Sequence, residues 1–159
     1  MKLLFVCIGN TCRSPMAESV MAHYIRENGL DWVTDSAGLR SWNVGRRPEE
    51  RCQQVLAEHE LETQHIGREI TLEDFHQFDY IFGMDAMNMQ ELHYLSVKAK
   101  VSGIETKAKI ELLGRYIGRK EDEIIQDPYF KIITITIYRA PALVDSVVPM
   151  HKLTRAVEI

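Results

Sequence analysis

Residues 2–15 read KLLFVCIGNTCRSP, and the reading of this stretch decides the fold. Leu3, Leu4, Phe5 and Val6 follow one another without polar alternation. Such a run predicts a strand buried on both faces, as in a parallel sheet. The period then changes. Ala17, Val20, Met21, Tyr24 and Ile25 recur at helical spacing, so one face of a helix is apolar. Ser14 fits an N-cap, Pro15 fits the first helical position, and Asn28-Gly29 ends the pattern. Cys7 to Ser14 is therefore the turn of a strand–loop–helix unit.

Working outward, the same alternation repeats. Trp32 to Ser36 reads as a second strand. Pro48 to Leu61 reads as a helix with Cys52, Val55, Leu56 and His59 on one face. Thr71-Leu72-Glu73-Asp74 resembles a capping box opening a short helix. Phe78 to Met84 is a further apolar strand, followed by Asp85 as a cap and a helix carrying Met89 and Leu92. Ala108 to Leu113 reads as another strand. Alternating strands and helices imply an α/β fold with a mostly parallel sheet. After Phe130 the rhythm stops: Ile132 to Tyr138 is rich in β-branched residues, and Pro141 and Pro149 interrupt any long helix.

Composition bounds the function. The chain has 159 residues, enough for one ordinary core but not for two. The net charge of -4 gives no global electrostatic case for nucleic acid or an anionic membrane. No apolar run is long enough to span a bilayer, and the N-terminus lacks a signal-cleavage pattern, so a cytoplasmic protein is expected. The 3 cysteines, Cys7, Cys12 and Cys52, are too few for a disulfide scaffold, and none has a zinc-ligand spacing. Buried apolar cysteines or a reactive thiol remain.

Placement makes the first loop chemical. In open α/β sheets, ligands bind beyond the carboxyl ends of the strands, where Cys7 to Arg13 lies. Backbone N–H groups of such a loop form an anion nest, and the helix that follows adds its positive end. Gly9 and Asn10 tolerate the dihedrals a nest needs. Arg13 can grip two oxygens of a phosphoryl group. A thiol at the focus of this field is favoured as thiolate, the form that attacks phosphorus. Ser14 can donate its hydroxyl to that sulfur. Cys-x5-Arg-Ser/Thr arises by chance in roughly one chain per hundred of this size, so its position between strand and helix carries the weight. The bland alternative is a core cysteine and a surface arginine. The loop lacks the signatures of nucleotide-binding P-loops and dinucleotide folds. A thiolate attack also needs a proton donor. Asp127-Pro128-Tyr129 offers an acid, a stiffening proline and an aromatic that can stack on a ring, though alone it is a turn signal.

These residues resemble the low-molecular-weight protein tyrosine phosphatases. The resemblance rests on Val6 to Glu18 and on Asp35-Ser36-Ala37, Trp42-Asn43-Val44-Gly45, Phe78-Asp79-Tyr80-Ile81, Met84-Asp85, Lys109 to Gly114 and Asp127-Pro128-Tyr129. It covers about residues 1–130. It implies a phosphotyrosine protein phosphatase I-like fold: a small four-stranded parallel sheet with helices on both faces. It also implies hydrolysis of phosphotyrosine and small aryl phosphates through a phosphocysteine, without metal or cofactor. By the same resemblance Cys7 is the nucleophile, Arg13 the phosphate clamp and Asp127 the general acid and later base. Ile8, Gly9, Asn10, Thr11, Cys12, Arg13 and Ser14 bind the phosphate. Asn10, Ser14 and His65 hold the loop in shape, and Trp42 and Tyr129 wall the substrate cleft. Cys12 implies a disulfide with the nucleophile under peroxide. The expected partners are phosphotyrosine proteins, with the chain a monomer or weak homodimer.

The resemblance has gaps. Glu49-Glu50-Arg51 replaces an acidic turn, and Phe130 stands where a second tyrosine is common. Residues 131–159 do not resemble the family's closing helix, so 1–130 is read as the phosphatase domain and 131–159 as an atypical tail of it. Two alternatives stay open: an arsenate reductase on the same fold, and a phosphotyrosine-binding or regulatory homologue with weakened catalysis. Arg46 and Arg47 beside Glu49 and Glu50 suit either steering of acidic substrates or plain solvation.

Overall fold

The computed structural model describes residues 1–117 and 123–128. Within them, four strands form one parallel sheet: β1 (Lys2–Cys7), β2 (Val33–Gly38), β3 (Tyr80–Gly83) and β4 (Lys109–Leu112), in the order β2-β1-β3-β4. The four-stranded parallel sheet expected from the sequence is thus present. β1 lies inside it, with Phe5 opposite Ser36 on one side and Phe82 on the other.

That position explains the unbroken apolar run. Leu3, Phe5 and Cys7 face a core shared with Met21, Phe82 and Met84, and Ala17, Val20 and Tyr24 of α1 (Arg13–Glu27) pack against it. Leu4 and Val6 face the other core with Phe75 of α3 (Asp74–Gln77) and with Leu92 and Ala99 of α4 (Ala86–Val101). A strand with helices on both sides has no solvent face, so alternation disappears. Leu3, Leu4 and Val6 are 0% exposed. Burying each such side chain is worth about 1.5–3 kcal/mol.

α2 (Glu50–Glu58) packs beside the N-terminal end of α1, where Cys12, Met16, Cys52, Leu56 and Leu61 form a third, smaller cluster. Among the described residues, no helix is long and apolar enough to cross a membrane.

Several boundaries differ from the sequence reading, for identifiable reasons. α1 begins at Arg13 with Cys12 in the cap position, and no side chain caps it. Ser14 therefore lies inside the first turn, where its hydroxyl serves the loop instead. β2 starts at Val33 and runs on to Gly38. Asp35 and Ser36, polar residues that look like a strand end, are held there by side-chain bonds. α2 is shorter than Pro48 to Leu61, and His59 ends it as an exposed residue. The capping box at Thr71 is half made: Asp74 Oδ2 accepts from Thr71 N at 2.8 Å. Asp85 caps α4 as read, its Oδ1 accepting from Asn88 N at 2.8 Å. Tyr129 and the β-branched stretch Ile132 to Tyr138 lie outside the described residues.

Candidate active site

The loop from Ile8 to Cys12 is pinned by its carbonyls. Cys7 O accepts from Leu39 N at 2.9 Å, Ile8 O from Arg40 N at 3.0 Å and Thr11 O from Glu49 N at 2.9 Å. Gly9 O accepts from Asn43 Nδ2 at 2.8 Å. In each peptide plane the following N–H points the opposite way. Carbonyls held outward by four donors, from Leu39-Arg40, Asn43 and Glu49, therefore turn N–H groups inward, and that is the geometry of an anion nest.

Asn10 sets the shape of the turn. Its φ of 51° lies in the left-handed region, which asparagine tolerates better than most residues. Its side chain is buried and fully engaged. Nδ2 donates to Ser14 Oγ at 3.0 Å and to Ser36 Oγ at 2.9 Å. Oδ1 accepts from His65 Nε2 at 2.7 Å and from Arg68 N at 2.9 Å. Behind it, Glu18 Oε2 accepts from Ser36 Oγ at 2.6 Å and lies 2.9 Å from His65 Nδ1. Arg68 continues the chain to Asp35 at 2.8 Å and Asp74 at 3.0 Å. His65 is thus part of a buried network behind the loop. Glu18, Asp35 and His65 bring potential metal-ligating atoms within 4.8 Å of one another. Those atoms are already shared with Ser36, Asn10 and Arg68, which makes the group a hydrogen-bonding buttress.

Cys7 and Arg13 occupy the two ends of the loop. Cys7 Sγ lies 3.1 Å from Ser14 Oγ, a contact in which the hydroxyl can donate to a thiolate. Arg13 is 7% exposed, so its charge needs partners. Nη1 donates to Asp85 Oδ2 at 2.7 Å and to Ile125 O at 3.2 Å. Nη2 donates to Asp127 Oδ2 at 2.7 Å. The two carboxylates come from distant parts of the chain, Asp85 from the start of α4 and Asp127 from the segment after residue 122. Ile125 N donates to Met84 O at 2.9 Å, which ties that segment to the end of β3.

Trp42 is 66% exposed on a single helical turn, Ser41–Asn43, that stands beside the loop. A side chain on Gly9 would come within 4.0 Å of its ring. The turn is held closely from behind: a Cβ on Gly67 would sit 2.3 Å from Asn43 O, so only glycine lets the two backbones approach. Tyr129, the other expected wall, is outside the described residues. Arg46 and Arg47 are exposed, as a solvated pair would be, and Arg47 Nη2 donates to Thr63 O at 3.4 Å.

All three cysteines are free thiols. Cys12 points into the small cluster under α2, where Cys52 Sγ lies 3.6 Å from Cys12 O. Hydrogen bonding to Cys52, burial, and the Glu49 carboxylate together push the Cys12 thiol well above its ordinary value, so it stays protonated.

The structure brings Cys7, Asn10, Arg13, Ser14, His65 and Asp127 together. It adds Asp85, Glu18, Ser36, Arg68 and Asn43, to which the sequence reading gave no part in the site. Asp85 was visible as a cap, and the signal for its second task is that a cap needs only one of two carboxylate oxygens. Ser36 and Arg68 carried no local signal, because their partners lie tens of residues away.

Comparison with known proteins is consistent across sequence and structure. Residues 2–140 match the family model described as "Low molecular weight phosphotyrosine protein phosphatase". The chain is 44% identical over 130 residues to the pig (Sus scrofa) protein of that name, covering 80% of this chain and 79% of that one. Its fold is similar to that of a Drosophila protein described as an arginine phosphatase, with 54% identity, TM-score 0.78, and coverage of 90% and 89% of the two chains. It is also similar to a protein tyrosine phosphatase from Entamoeba histolytica, with 34% identity, TM-score 0.70, and coverage of 82% and 81%.

Proposed function

The chain belongs to the low-molecular-weight phosphotyrosine protein phosphatase family and is by that membership a protein tyrosine phosphatase; from this premise we propose that it works through a phosphocysteine at Cys7. The Cys7 thiolate attacks phosphorus as the P–O bond to tyrosine breaks, and Asp127 gives its proton to the departing phenol oxygen. Water then attacks the phosphocysteine. Asp127 takes its proton, inorganic phosphate forms, and Cys7 leaves as thiolate with Ser14 Oγ donating to it. Arg13 and the inward N–H groups of Ile8 to Ser14 hold the three non-bridging oxygens, whose charge is greatest in the transition state. Trp42, exposed beside the loop, walls the cleft on its side. The observation that supports this reading is the placement of Arg13. One buried guanidinium closes the Cys7 loop and holds Asp127 at 2.7 Å, so nucleophile, clamp and acid share one locus.

The same chemistry extends to small aryl phosphates, the acid phosphatase activity. We place the catalytic domain at 1–130 with 131–159 as its tail, and the protein in the cytoplasm acting on phosphotyrosine proteins. The test is hydrolysis of p-nitrophenyl phosphate by the full-length protein in the presence of a chelator. Turnover is expected, and Cys7→Ser is expected to abolish it while retaining affinity for oxyanions. Asp127→Ala is expected to slow phosphocysteine formation about 10²–10⁴-fold for poor leaving groups and much less for p-nitrophenol. Turnover by Cys7→Ser would overturn the thiolate mechanism.

One comparison favours a second substrate class, because the solved structure at 54% identity is described as an arginine phosphatase. A phosphoarginine leaving group also departs with a proton, so Asp127 can serve both. The ratio of kcat/KM for matched phosphotyrosine and phosphoarginine peptides decides it. A ratio favouring phosphoarginine makes that the physiological class, and a ratio favouring phosphotyrosine excludes it.

A further inference from the structure

The third cysteine has no part in the chemistry above, yet it lies against the loop. Cys52 is 0% exposed on the first turns of α2. Its Sγ is 3.6 Å from the carbonyl of Cys12, and both side chains share one cluster with Met16, Leu56 and Leu61. Cys7 lies in a different cluster, under α1, with its sulfur 3.1 Å from Ser14 Oγ. Cys12 is therefore within one loop of Cys7, but its thiol faces Cys52.

We propose that Cys52 is a third redox residue: it takes Cys12 over from Cys7, so that oxidation ends as a Cys12–Cys52 disulfide with the nucleophile restored. The inference rests on Cys7 being the nucleophile. The steps balance with a hydroperoxide as oxidant. The Cys7 thiolate attacks the peroxide O–O bond, takes one oxygen with its proton as sulfenic acid, and releases hydroxide or alkoxide, which takes up a proton from solution. The Cys12 thiol displaces that oxygen as water and a Cys7–Cys12 disulfide forms. Cys52 Sγ then attacks Cys12 Sγ, the S–S bond to Cys7 breaks, and the Cys52 proton passes to the solution as Cys7 leaves as thiolate. No net electrons move in this last step.

Three features give it direction. The departing sulfur is the one that the nest and Ser14 stabilise as an anion. Exchange returns Cys7 and Cys12 to the clusters they occupy in the reduced structure, whereas a Cys7–Cys12 bond pulls Cys12 out of its own. Burial keeps Cys52 from peroxide in solution, so Cys52 is oxidised through Cys12. The raised Cys12 thiol fits the same order of events, since a protonated thiol is a poor first target for peroxide.

The experiment uses reduced full-length protein with reductant removed. After p-nitrophenyl phosphate turnover is recorded, about one equivalent of hydrogen peroxide is added and then quenched with catalase. Activity is followed without reductant, and samples are alkylated, digested and mapped for disulfides. Activity is expected to fall and then recover by more than half, with Cys12–Cys52 as the final disulfide and Cys7 alkylated. Cys52→Val is expected to keep its basal turnover but to stay inactive after peroxide, as Cys7–Cys12, until a dithiol is added. A wild-type map that ends at Cys7–Cys12 with Cys52 alkylated overturns the proposal, and it does so even if the variant fails to fold. Absence of Cys7-dependent turnover before peroxide overturns the phosphatase mechanism instead, and the map still decides the fate of Cys52.

Discussion

β1 and the loop that continues from it are adjacent in sequence and both largely buried, yet they are buried by different means. Leu3 to Val6 are covered by apolar side chains from two helical layers, and their backbone is spent on neighbouring strands. Asn10 and Ser14 are just as inaccessible, but they are covered by each other and by Ser36, His65 and Arg68. Apolar burial tolerates small shifts, because its energy follows area. A saturated polar network tolerates few, because an orphaned donor or acceptor costs its full desolvation. The strand therefore supplies stability and the loop supplies position.

The comparison breaks most visibly if a strand residue is removed. Phe5→Ala is expected to cost about 3–5 kcal/mol in denaturant unfolding, with kcat of the folded fraction nearly unchanged. A large fall in kcat with intact stability would mean that the strand also sets the site's geometry. Asn10→Ala addresses the loop. It leaves Ser14, Ser36, His65 and the Arg68 amide short of a partner, for a stability loss of about 2 kcal/mol. The same change is expected to lower kcat about 10²-fold through misplacement of the nest. Equal losses in both variants on both readouts would erase the distinction.

The smallest effect lies at the opposite, solvent-facing end of β1. There Asp79 accepts from Lys107 Nζ at 2.8 Å and from Lys2 N at 2.7 Å. Lys107 first, and then the Lys2 amide, hold its carboxyl below the ordinary value of 3.8. A depressed carboxyl stabilises the fold above that ordinary value, and the gain is lost as pH falls through the lower folded value. Asp79→Asn is expected to cost less than about 1 kcal/mol at neutral pH, because the site is exposed, and the difference from wild type should vanish in acid. Thermal unfolding against pH measures it, and a loss persisting in acid would assign the effect to packing.

The strand was legible because its cause is local: an apolar run without alternation has few other uses. Cys7 and Arg13 were legible because loop chemistry is compressed into a few residues. Ser14 was misread for the same reason. A serine before proline suits a cap, but α1 begins at Arg13 and the cap position falls to Cys12. The reach of the Ser14 hydroxyl to the Cys7 sulfur, by contrast, was already readable in the loop. Ser36, Arg68 and Cys52 were illegible as site residues, since each acts through a partner from a remote segment. Cys52 in particular sits at a helical core position, and core packing is what its spacing predicts.

Arg13 holds the acid-bearing segment at two points, through Asp127 and through the carbonyl of Ile125. On the phosphocysteine mechanism proposed above, the clamp and the proton donor are therefore inherited together. A lineage that replaced Arg13 would lose the binding of phosphate and, in the same event, the seat of its acid. No later change at Asp127 alone would repair both, and descendants would have to move the two residues in concert or abandon the reaction.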